Sequence, residues 1–144
     1  VGYDPEIVLK ELRVNAMNTY PNGFQLNNPH GIENACTVTN AINEMLCMGV
    51  GNVVRLFVGI PEKEEASFNN LRVCGAFLVS SKKTNGQVDG VTIFSEKGRT
   101  CTLVNPWSNK KVVITRNGKL SETIFGERLI FKTSINEKID IKRL

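Results

Sequence analysis

LRVCGAFLVSSKKTNGQVDGVTIFS, residues 71–95, decides the reading of the fold. Apolar residues alternate with polar ones on both sides of Asn85-Gly86, the dipeptide that most strongly marks a two-residue hairpin turn. The spacing predicts one strand over Leu71–Ser80 and the next over Val88–Ser95. The period of two continues in both directions. Downstream, Lys97-Gly98 turns the chain and a strand over Thr100–Val104 stops at Asn105-Pro106. Lys111–Arg116 leads into a second hairpin signal, Asn117-Gly118. Lys119–Ile124 ends at Gly126, and Arg128–Thr133 and Lys138–Lys142 complete the series. Upstream, Val54, Leu56 and Val58 alternate with Val53, Arg55 and Phe57 until Pro61. Phe68, Phe77, Phe94, Phe125 and Phe131 fall on strands or strand edges and read as core. Short strands at this spacing argue for an antiparallel β-sandwich.

Before Asn52 the period is helical. Asp4 is a capping residue and Pro5 suits the first helical position. Val8, Leu9, Leu12 and Ala16 line one face, and Tyr20-Pro21-Asn22-Gly23 stops the helix. Residues 24–32 read as an irregular loop. A second helix is expected over Asn34–Met48, with Val38, Ala41, Ile42, Met45 and Leu46 on its apolar face and Gly49 and Gly51 at its end. The fold class is thus mixed α and β: short N-terminal helices over 1–51, then an antiparallel sandwich over 52–144. Two helical stripes need a partner layer. Either they pack on the sheet or they belong against helices outside this chain. The absence of an initiator Met favours the second.

The 144 residues are 41% apolar and 22% charged, which excludes a disordered tail or a collagen-like fibre. No apolar run is long enough to span a bilayer as a helix. Net charge is +4, unevenly divided. Residues 1–65 carry 4 Lys/Arg against 8 Asp/Glu, and residues 66–144 carry 14 against 6. The basic part raises nucleic acid as a partner. Its charges are spread singly, apart from Lys82–Lys83, Lys110–Lys111 and Lys142–Arg143, so a solvated sheet face is the simpler reading and no nucleic-acid partner is expected.

Cys36, Cys47, Cys74 and Cys101 have no zinc-site spacing, and no metal or cofactor is expected. They read as buried free thiols, with a Cys74–Cys101 bridge left open. Cys36 and Cys47 are too far apart to bridge if one helix carries both. The one histidine, His30, lies three residues before Glu33. Such a pair can serve acid–base chemistry; equally, Pro29 and Gly31 shape a turn and Glu33 sits at a helix's positive end. Trp107 either stacks on a sugar ring or closes the end of a core. Phosphate loops, dinucleotide loops and nucleophile elbows are absent from the sequence.

Three stretches in order, AINEMLCMGVGNVVRLFVGIP (41–61), SFNNLRVCGAFLVSS (67–81) and NGQVDGVTIFSEKGRTCTLVNPW (85–107), resemble the C-terminal end of glycoside hydrolase family 95, which includes α-L-fucosidases. The resemblance covers about residues 24–132. It implies a parent with an N-terminal β-domain, a catalytic (α/α)6 toroid and a C-terminal β-sandwich. This chain would hold the last toroid helices and the whole sandwich, without the region of the family's general acid. Inverting hydrolysis needs two carboxyl groups across the bond. In the fucosidases the base region resembles Phe-Gln-Ile-Asp-Gly-Asn-Phe-Gly. Here Phe24-Gln25-Leu26 is followed by Asn27, where the Asp would stand, and an amide is no base. Asn27, His30 and Glu33 are therefore the candidate active-site rim of the parent, with Glu33 or His30 able to take over the role.

The expected function is a non-catalytic C-terminal piece of a glycoside hydrolase, not an enzyme by itself. It would support a helical-toroid catalytic domain acting on a glycan. The alternative is a carbohydrate-binding sandwich module using Trp107. The expected partner is the rest of the parent, or a second copy through exposed helix faces. Family resemblance alone implies secretion or a periplasmic location.

Overall fold

The Asp4 carboxylate accepts a hydrogen bond from the Glu6 backbone N–H at 2.9 Å, and Pro5 occupies the first turn, so α1 runs Pro5–Met17 as its start signals dictate. The computed structural model describes residues 4–26 and 31–144. After α1 the chain folds back on itself at Tyr20-Pro21-Asn22-Gly23. Tyr20 N–H donates to the Phe24 carbonyl at 2.7 Å and Gly23 takes φ 87°. The second helix, α2, spans Ile32–Leu46 rather than 34–48, because Cys47 is already extended at φ −149° and ψ 103°. Cys47–Met48 form β1, paired antiparallel with β2, Arg55–Leu56. The boundary expected at 51/52 falls inside this small hairpin. Of the alternating run 53–58 only β2 is strand; Val54 makes a lone parallel bridge to Leu103.

The main sheet has six strands. They are β3 (Ala66–Val73), β4 (Phe77–Thr84), β5 (Gln87–Ser95), β7 (Val112–Arg116), β8 (Lys119–Ile124) and β10 (Glu137–Arg143). Their order is β3-β4-β5-β10-β7-β8, antiparallel throughout. A separate pair, β6 (Cys101–Val104) and β9 (Arg128–Phe131), completes the strands. The strand expected over 71–80 is in fact two. Cys74-Gly75-Ala76 turns the chain, with Gly75 at φ 89° and Ala76 at φ 60°. The Phe77 ring occupies the space a Gly75 Cβ would need, at 2.5 Å, so this turn requires glycine. No Asn-Gly marks it, which is why alternation alone runs through it.

Alternation decides which face is buried. Phe77 and Val79 of β4, Val91 and Ile93 of β5, Ile139 and Ile141 of β10, and Val112 and Ile114 of β7 all point to one side. They form one cluster with Cys101 and Leu103 of β6, Leu129 and Phe131 of β9, and Trp107. The result is sandwich-like: a large sheet with a small one over its buried face. Two of the aromatics expected in the core lie outside it: Phe94 is half-buried on the face of β5 opposite Val91 and Ile93, and Phe125 is 73% exposed beyond the end of β8.

Among the described residues, buried side-chain polar groups are satisfied. Asn105 donates from Nδ2 to the carbonyls of Lys110 and Gly126, each at 2.9 Å, and its Oδ1 accepts from the Trp107 N–H at 3.0 Å. One amide thus braces the β6–β7 loop and ties it to the β8–β9 loop at the end of the sandwich. Glu137 accepts from Arg116 Nη1 at 3.1 and 3.2 Å and from the Ser134 N–H at 2.7 Å. Removing a partner from such a group costs its full desolvation. Asn105→Ala is expected to lower the unfolding free energy in urea by about 2–4 kcal/mol. Asn105→Asp should cost at least as much at pH 7, because a carboxylate would face two carbonyl oxygens. A loss below about 0.5 kcal/mol for either variant would refute this role.

Candidate functional site

Where α2 ends against the β3–β4 turn, the surface folds into an open groove of about 460 Å³. Asn40, Asn43 and Glu44 of α2 line one wall; Leu71, Arg72 and Cys74 line the other. The groove exists because Gly49 lets the chain after α2 pass close to β3. A Cβ there would stand 3.1 Å from Val73 Cβ and 3.2 Å from Cys74 Sγ. Arg72 forms a two-point ion pair with Glu96, one contact being 2.8 Å from Nη2 to Oε1. This hydrogen bonding raises the arginine pKa and lowers that of the glutamate. The two residues are 24 apart in sequence and meet through strand register, which the linear pattern does not display.

The two buried thiols, Cys47 and Cys101, stay protonated at neutral pH. Burial, with the charges of Glu44 and Cys74 added, pushes Cys47 up to about 12. Burial also pushes Cys101 up to about 12, helped by Cys74 and Cys47. Cys36 and Cys74 are exposed, not buried as expected, and all four cysteines are free. Among the described residues, no group of three or more His, Cys, Asp or Glu side chains could hold a metal ion. No helix among them is long and apolar enough to cross a membrane.

Asn27 and His30 lie outside the described residues. Glu33 is exposed in the first turn of α2, whose cap residue, Gly31, offers no side-chain bond. A carboxylate suits that positive helix end. Trp107 is 7% exposed, and its indole N–H donates to the Val88 carbonyl at 2.8 Å. Its ring is part of the core and offers no open face for a sugar. The structure thus brings Trp107 and Asn105 together as a structural unit and does not join either to Glu33 in a site.

The basic residues divide into paired and free groups. Arg116 bonds Glu122 at 2.7 Å and Glu137 at 3.1 Å, and Lys138 lies 3.7 Å from Asp140. Lys83 turns inward and donates to the carbonyls of Pro61 at 2.8 Å and Ile60 at 3.3 Å. Lys82 beside it faces outward and is exposed. Compared with known proteins, the chain matches no family model and none of the curated proteins.

Burial lowers the Lys83 pKa from its ordinary 10.5, and Glu62 offsets this in part. The folded chain therefore releases this proton before the unfolded chain does. Stability contributed at this site should rise with pH from the folded pKa up to 10.5. Urea midpoints measured at pH 8, 9 and 10 should show that rise relative to Lys83→Met. Parallel pH curves for the two proteins would contradict it.

Proposed function

We propose that this chain is a supporting module of a carbohydrate-active enzyme: a sandwich carrying two helices that complete the helical catalytic domain of a longer protein. The observation that carries this reading is the surface of α1. Val8, Leu9 and Leu12 are half-buried on one side. On another side Ile7, Val14 and Met17 are exposed by 59, 47 and 83%. No residue of α1 is buried. Ile42 of α2 is also exposed, at 44%. A helix apolar on two sides is suited to lie between two packed layers, and here one layer covers it. The sheet closes its own core without α1, so the uncovered side is not a shortfall in the sandwich.

The resemblance to glycoside hydrolase family 95 supplies the identity of the missing layer, a catalytic (α/α)6 toroid. In that setting the segment 27–33, which runs into the first turn of α2, borders the active site, with Asn27, His30 and Glu33 as its rim. Hydrolysis requires the second carboxyl group from the rest of the toroid. The enzyme acts on a glycan outside the cytoplasm, in a secreted or periplasmic form. The module contributes no cofactor chemistry. A carbohydrate-binding module in its own right is the weaker reading, since buried Trp107 leaves the sandwich without the stacking ring that reading needed.

The test compares residues 1–144 with the full-length protein on a panel of aryl glycosides. Activity is expected in the longer protein and none in the 144-residue chain. Hydrolysis by the short chain alone would overturn the proposal. In the longer protein, Ile7→Asp with Val14→Asp should destabilise the helical domain by about 2 kcal/mol or more. The same pair should leave urea unfolding of the 144-residue chain unchanged within about 0.5 kcal/mol. Equal effects in both settings would show that α1 has no further partner.

A further inference from the structure

Cys47, Cys74 and Cys101 gather where the chain passes from α2 into the sheet, close enough to feel one another's charge. Two of them share the groove at the end of α2. Cys47 opens β1 and is buried; Cys74 lies in the β3–β4 turn and is exposed; both line the groove. The backbone sets these two near each other. Cys47 is extended, so Cys47 and Gly49, two residues apart, present the same side of the chain. Gly49 has no side chain there, and Cys74 takes the space. Its Sγ lies 3.2 Å from where a Gly49 Cβ would be, and its backbone N is equally close. The Cys74 S–H donates to the Gly49 carbonyl at 2.6 Å.

Strand rise places Cys47 about 7 Å further back along that same side. A disulfide spans about 4.4–6.8 Å between Cα atoms, so a small approach of the β3–β4 turn brings the pair within range. The other two cysteines are placed differently. Cys101 is fully buried on β6, within the sandwich core, and does not line the groove. Cys36 lies earlier on α2, about 16 Å of helix rise from Cys47.

We propose that Cys47 and Cys74 are a reversible redox pair whose disulfide staples the end of α2 to the β3–β4 turn. The oxidant is a small disulfide such as glutathione disulfide. Cys74, the exposed member, attacks it as the thiolate. One glutathione leaves and takes up a proton, and a mixed disulfide remains on Cys74. Cys47 then gives its proton to solvent and attacks Cys74 Sγ. The bond to glutathione breaks, and the second glutathione leaves and is protonated. The protein's two thiols have lost two protons and two electrons, and one glutathione disulfide has become two thiols. Burial keeps Cys47 protonated at neutral pH, so its attack is the slower step. The bridge restricts the unfolded chain between Cys47 and Cys74 and so stabilises the fold. This pairing does not depend on the glycosidase reading.

The test equilibrates the folded 144-residue chain with glutathione disulfide at pH 8 and then blocks the remaining thiols with N-ethylmaleimide in denaturant. A glutamate-specific protease maps the product, since cuts at Glu44, Glu65 and Glu96 part the four cysteines. The chain is expected to lose two of its four thiols, with the peptides of Cys47 and Cys74 joined, and dithiothreitol should reverse this. Cys36→Ala and Cys101→Ala should still form the bridge. Cys47→Ala should stop at a glutathione adduct on Cys74. The map of the unsubstituted chain assigns the bridge even if Cys47→Ala fails to fold. The bridged chain, freed of glutathione, should have an unfolding equilibrium constant about thirtyfold or more below that of the reduced chain. A Cys74–Cys101 linkage would overturn the proposal. So would four free thiols, a glutathione adduct on Cys74 that never resolves in the unsubstituted chain, or a bridged chain no more stable than the reduced one.

Discussion

The main sheet depends on its last strand. β10 enters between β5 and β7 and pairs with both. Without it, β3-β4-β5 and β7-β8 would be two separate fragments, each with an unpaired edge. Ile139 and Ile141 of β10 are fully buried, at the middle of the apolar face. The small sheet of β6 and β9 then has a continuous surface to cover. Closure therefore waits for residues near the C-terminus to meet a strand some fifty positions earlier, a long-range contact with a high entropic cost before it is repaid.

Polar anchors are placed where that closure needs direction. Asn105 ties the loops on either side of β7 and β8, at the end where Trp107 seals the core. Glu137 opens β10 and is held by Arg116 of β7 and the backbone of Ser134. Ser95, fully buried at the end of β5, bonds Thr133 at 2.7 Å and accepts from the Gly98 N–H at 3.1 Å. Among the described residues no buried side-chain nitrogen or oxygen lacks a partner. Such groups favour one register over its neighbours, because a one-residue slip would leave them unpaired.

The helices stand in contrast. The sandwich buries the inner face of its main sheet and leaves Leu120, Phe125, Ile130 and Ile135 exposed, while no residue of α1 is buried. This division matches a chain whose sheet folds on local and long-range pairing within itself and whose helices find their full burial elsewhere. In the proposed function the sandwich would be the anchor and the helices the part offered to a catalytic domain.

The alternation of apolar residues, the Asn85-Gly86 and Asn117-Gly118 turns, and the Asp4-Pro5 helix start are local signals. Local sterics and hydrogen bonding act within a few residues, so the sequence by itself determined the mixed class, most strand positions and the first helix. The turn at Gly75-Ala76 escaped because its cause, the Phe77 ring in the place of a side chain, is a packing fact. Phe125 and Trp107 show the same limit in opposite directions. Both are large and apolar beside a strand end, yet Phe125 is exposed while Trp107 packs in the core with its indole N–H on the Val88 carbonyl. Of the candidate site, Glu33 could be placed at a helix start from its neighbours. The Arg72–Glu96 pair and the inward turn of Lys83 could not, because each joins residues more than twenty positions apart. Tertiary structure alone decided strand order, and strand order decides which distant charges become neighbours.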